Sequence, residues 1–130
     1  MTVPMTPFLR KALFTDATIS GAAALLMLAG APLLAPLLDL PEALLFWAGF
    51  VLVPFVALLV VVARRQAAAR IILVDIVALN VLWVAASTFL LFSEAIAPNM
   101  LGMAFVCAQA LAVALFAELQ FVGLRRAAAA

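Results

Sequence analysis

Three carboxylates stand inside or at the edge of long apolar stretches: Asp16, Asp75 and Glu118. A carboxylate in such surroundings can take up and release a proton, hold a cation, or bind a cationic substrate. It can also simply pair with a nearby base and fix the register of the helices. The spacing allows both. Asp16 follows Lys11, and Asp75 follows Arg70, by five residues, about 7.5 Å along a helix at about 1.5 Å per residue. Glu118 precedes Arg125 by seven residues, about 10 Å along one helix face. Arg64 and Arg65 end another apolar stretch at a similar depth. Asp16, Asp75, Glu118, Arg64, Arg70 and Arg125 thus form one candidate layer, an ion or proton site on one reading and buried ion pairs on the other. Each acid has a base within reach, which makes ion pairing the simpler of the two, and its acids are expected to point toward other helices.

Uncharged polar residues extend this pattern. Ser20 shares a helix face with Asp16, Ala23, Ala24 and Met27, and Asn80 aligns with Ser87 with Trp83 and Val84 between them. Ser20, Asn80 and Ser87 are expected to bridge helices, by bonds that contribute about 0.6 kcal/mol on average in membranes. Ala110, Ala114 and Glu118 make a row at four-residue spacing, where small side chains let another helix come close. Pro54 lies in the middle of an apolar stretch; it should kink that helix and free the Phe50 carbonyl. Cys107 reads as a small packing residue, and Trp47 as part of an interfacial aromatic belt.

The chemistry that is missing narrows the field. There is no histidine and only one cysteine. The commonest metal ligand, the usual general base near neutral pH and any dithiol couple within one chain are therefore excluded. No phosphate loop and no nucleophile–base arrangement occurs. No metal, cofactor or catalytic residue is indicated, and the chain reads as a non-enzyme. A formal net charge of +1 gives no reason to expect nucleic acid.

Helices must position these residues. Of 130 residues, 71% are hydrophobic and 10% charged, against about half and about a quarter in soluble domains. Charges divide the chain into apolar stretches at Ala17–Leu38, Ala43–Ala63, Ile76–Ser93 and Ala95–Ala117. About 20 apolar residues cross a hydrocarbon core of about 30 Å, and a barrel would show alternating segments of about 10 residues. The expectation is an all-α, four-helix transmembrane bundle in a single domain over 1–130, with spans at about 14–36, 42–64, 71–93 and 98–124. Gly30-Ala31-Pro32 and Pro36 should close the first helix, Pro41-Glu42 open the second, and Pro98-Asn99 start the fourth. The apolar stretch after Asp16 is too long for a signal-peptide core, so it reads as an uncleaved first helix.

Charge sets the orientation. All seven bases, Arg10, Lys11, Arg64, Arg65, Arg70, Arg125 and Arg126, fall at the two ends of the chain or between spans two and three. Four spans put those places on one side, which the positive-inside rule makes cytoplasmic. The expected location is a bacterial-type inner membrane, with both termini in the cytoplasm. The halves also resemble each other: Lys11 to Asp16 matches Arg70 to Asp75 at an offset of 59, and each half continues through Ala-Pro to a helix ending in Arg-Arg. That pattern suggests two tandem hairpins in parallel repeat.

The length and layout resemble those of small multidrug exporters and small fluoride channels. The exporters' glutamate in the middle of the first helix has no counterpart here, where Asp16 lies near the basic end. Ser87-Thr88-Phe89 stands without the glycine-rich surroundings of the channels' third-helix motif. The resemblance is of layout alone and assigns no family. The leading functional expectation is helix-mediated association, as a homo-oligomer or as a small subunit of a larger membrane complex, with the lipid bilayer as the other partner. The alternative is a proton- or cation-coupled transporter or channel using the three acids. An enzyme acting on lipid or quinone would need a lipid-shaped cavity lined by Asp75, Asn80 and Glu118.

Overall fold

A computed structural model, which describes residues 1–129, is all-helical apart from one small ribbon. The order is β1 (Thr2–Pro4), α1 (Pro7–Leu38), α2 (Glu42–Ala63), β2 (Ala67–Ala69), α3 (Arg70–Phe92) and α4 (Met100–Ala129). All four helices are long and apolar enough to cross a membrane.

α1 begins at Pro7, where a missing N–H is harmless, and the Thr6 hydroxyl accepts from the Leu9 N–H at 3.2 Å. It does not close at Gly30-Ala31-Pro32 or Pro36 as expected. Both prolines lie inside a continuous helix that runs to Leu38. Apolar helices tolerate proline when the freed carbonyls find other partners, so prolines in such a stretch are weak stop signals. The stop comes at Asp39, left-handed at φ 56 and ψ 45, where the backbone N–H donates to the Ala35 carbonyl.

α4 is joined to the end of α1. The Asn99 side-chain oxygen accepts from the Gly102 N–H at 2.8 Å, and its amide donates to the Leu37 carbonyl at 2.9 Å. Gly102 lies directly against the Leu38 carbonyl, leaving no room for a Cβ. At the opposite end, β1 pairs antiparallel with β2, Val3 opposite Ala68. The Arg10 guanidinium there donates to the Ala63 and Arg65 carbonyls at 2.9 and 3.0 Å, closing the end of α2.

α1 packs along α2 and α4, and α3 packs along α4, whereas α2 and α3 barely approach each other. Gly49 brings α2 close to α1: a Cβ there would lie 3.0 Å from the Met27 Cβ and 3.1 Å from the Ala24 carbonyl oxygen. Two apolar clusters fill the interior. One lies toward the basic end around Leu13, Leu59, Ile76 and Leu124, and the other lies toward the far end around Met27, Leu38, Leu45 and Leu52. A polar layer separates them.

Candidate functional site

The polar layer centres on Asp16, which is 0% exposed. Asp16, Ser20, Ala24 and Met27 fall at four- and three-residue steps along α1, and all four are buried. Asn80 comes from the buried face of α3 that also carries Leu73, Ile76 and Ser87, and Gln120 comes from the buried face of α4. The Ser20 hydroxyl donates to Asp16 Oδ1 at 2.7 Å. Asp16 Oδ2 accepts from Gln120 Nε2 at 2.7 Å and from Asn80 Nδ2 at 3.0 Å. Asn80 Nδ2 also donates to Gln120 Oε1 at 2.8 Å. Three donors from three helices thus replace the water this carboxylate gives up, as burial of a polar group requires.

The expected layer of acids and arginines does not form around Asp16, whose partners are all uncharged. Three of the six arginines are engaged nearer the helix ends. Arg10 caps α2, Arg125 lies over the Phe121 ring at 5.7 Å, and Arg126 lies over Phe8 at 5.2 Å. Long basic side chains reach outward from a helix end toward water more readily than inward to a buried acid.

Asp75 and Glu118 are exposed, contrary to the inward orientation expected of them. Helical geometry explains both. Asp75 is five residues from Asn80, about 140° around α3, and Glu118 is two residues from Gln120, about 160° around α4. Burying the two amides therefore turns the two acids out. Glu118 lies in a surface groove of about 490 Å³ between α3 and α4, beside Val77, Val81, Ala85, Ala114 and Phe121. Arg64, Arg70 and Arg125 are likewise exposed.

A second polar group lies closer to the far end. Trp83 Nε1 donates to Gln109 Oε1 at 2.6 Å, and Gln109 Nε2 donates to the Ser87 hydroxyl at 3.0 Å. Ser20, Ser87 and Gln109 line an otherwise apolar, partly open pocket of about 150 Å³. Beside it, the gap between α2 and α3 forms a groove of about 480 Å³, lined by Leu52, Pro54, Phe55, Leu82, Ala86 and Trp83, with Ser20 and Asn80 at its floor. Pro54 lies inside a helix that continues past it, on the wall of this groove. Asp75 and Glu118 line neither space.

Gln109 and Gln120 belong to the site without being among the residues expected there, although their spacing carries a signal. Eleven residues separate them, three turns of helix, which places both amides within about 20° on one face of α4. No three metal-ligating side chains come together among the described residues. Fold and site define a bundle of four apolar helices with a buried, fully partnered carboxylate and a groove open at one side. Searches of protein-family models, curated proteins and solved structures find no match to the chain.

Proposed function

We propose that this is a non-enzymatic protein of a bacterial-type inner membrane that acts by helix-mediated association, with itself or as a small subunit of a larger complex. The proposal includes cytoplasmic termini, from the basic residues gathered at one end, and an origin by duplication of a two-helix hairpin.

The observation that carries this reading is the placement of Glu118. It is exposed in a groove of valine and alanine with Phe121 at one side, between α3 and α4, about 10 Å from Arg125 along the helix. A lone chain would turn this carboxylate toward lipid, which disfavours charge. Small residues around it let a further helix approach and cover it. A coupled flux, by contrast, would draw on acids in one connected path. Asp16 is enclosed, while Asp75 and Glu118 lie outside, so association is the better-supported reading.

The test is the mass of the purified protein in mild detergent. The expected species is heavier than one chain. Ala85→Phe, which fills the groove without touching the polar layer, should shift it toward the monomer. A monodisperse monomer, partnerless and indifferent to this substitution, would overturn the proposal.

A further inference from the structure

Asn80, which lines the groove between α2 and α3, carries an unused acceptor. Both acceptors next to Asn80 Nδ2, Asp16 Oδ2 and Gln120 Oε1, claim its hydrogens at 3.0 and 2.8 Å. The amide nitrogen must therefore face them, which turns Asn80 Oδ1 the other way. That oxygen takes no hydrogen bond from the described residues and is not sealed in, although Asn80 as a whole is only 3% exposed. Asn80 lines the groove, and Ser20 lines it beside Asn80. The Ser20 hydrogen is already given to Asp16, so its oxygen too can only accept. The two polar residues at the floor of an apolar groove thus both ask for a donor.

Depth limits what can supply one. Asn80 is ten residues from Arg70, and Ser20 is nine from Lys11. At about 1.5 Å per residue both stand about 13–15 Å from those bases, inside a hydrocarbon layer of about 30 Å. A phospholipid headgroup would have to leave the interface to reach them. A single neutral hydroxyl on a hydrocarbon body would not. The groove of about 480 Å³ is apolar apart from its floor, and ligand pockets combine such walls with a few placed polar atoms.

We infer that the groove between α2 and α3 binds a neutral lipophile through a hydroxyl donated to Asn80 Oδ1. An alcohol or a hydroquinone meets this requirement. A ketone, ester, ether or quinone presents only acceptors and is disfavoured. The site is separate from the α3–α4 face proposed for association, and it stands or falls independently of that proposal.

Trp83 reports on the groove it lines, and Trp47→Phe removes the other tryptophan, which is exposed on α2. Quenching of Trp83 is measured in detergent or lipid discs with 11-bromoundecan-1-ol, its methyl ether, and a bromoalkyl hydroquinone with its quinone. The alcohol should quench at a concentration about tenfold lower than the ether, the worth of one hydrogen bond. The hydroquinone should likewise exceed the quinone, and the stronger of the two donors indicates an aliphatic or a phenolic source. Ala86→Phe fills the groove while leaving every hydrogen-bonding side chain in place, and should abolish saturable quenching. Equal quenching by alcohol and ether, or quenching unchanged in Ala86→Phe, overturns the inference. So does a groove closed to every probe in a dimer that Ala86→Phe converts to monomer, since a second copy then fills it.

Discussion

Replacing Gln120 by leucine tests the polar layer with little change in volume. Two interactions disappear: the Gln120 Nε2 donation to Asp16 at 2.7 Å, and the Asn80 donation to Gln120 Oε1 at 2.8 Å. A hydrogen bond to a charged group is worth about 1.5–3 kcal/mol, and an orphaned buried N–H costs about 1–3 kcal/mol. Relief from burying the glutamine amide offsets part of that sum. Interhelical bonds in membranes average about 0.6 kcal/mol, because the unfolded chain in lipid finds other partners. Gln120 is 1% exposed and its acceptor is a carboxylate, so the loss should exceed that average and come to about 2 kcal/mol. Unfolding by SDS titrated into mild-detergent micelles, followed by circular dichroism, measures it. In an Asp16→Asn background the same change should cost about 1 kcal/mol less, since the acceptor is then neutral. A loss below about 0.5 kcal/mol for Gln120→Leu alone, or equal losses in both backgrounds, would refute the reasoning.

Gly102→Ala should destabilise by about 1–3 kcal/mol in the same titration, because its Cβ would press on the Leu38 carbonyl; a neutral result would mean that α1 and α4 separate there easily. Arg10→Gln should speed amide exchange at the end of α2, where Arg10 donates to the Ala63 and Arg65 carbonyls, while exchange around Asn80 stays unchanged. Asp75→Asn should leave the SDS unfolding midpoint where it is, since Asp75 is exposed; a large loss would place it in a buried pair after all.

Hydropathy made the four helices legible, because apolar stretches of this length have no other stable form in lipid. The inward face of α1 was legible too, since Asp16, Ser20, Ala24 and Met27 repeat at helical spacing. The identity of the buried acid was harder to read. Depth along the membrane follows from counting residues to the nearest base, and by that count Asp16, Asp75 and Glu118 are equivalent. Azimuth separates them, and it is set by what the opposite side of each helix buries: Asn80 against Asp75, and Gln120 against Glu118. In that contest the amides win the buried side and the charges are turned out. The end of α1 is not legible from its prolines, because proline, a strong stop signal in soluble chains, yields to the apolar run around Pro32 and Pro36. The β1–β2 ribbon left little local trace, since Ala67–Ala69 has weak strand preference and the pairing joins segments more than sixty residues apart.

Association through the α3–α4 face can be probed with the native cysteine. Cys107 is exposed and eleven residues from Glu118, so the two lie within about 20° on one face of α4. Membranes holding the protein are treated with a short bis-maleimide and resolved by denaturing electrophoresis. Covalent species heavier than one chain are expected, and Ala85→Phe should diminish them. Chains that stay monomeric while Cys107 reacts fully with a single maleimide would contradict self-association through this face.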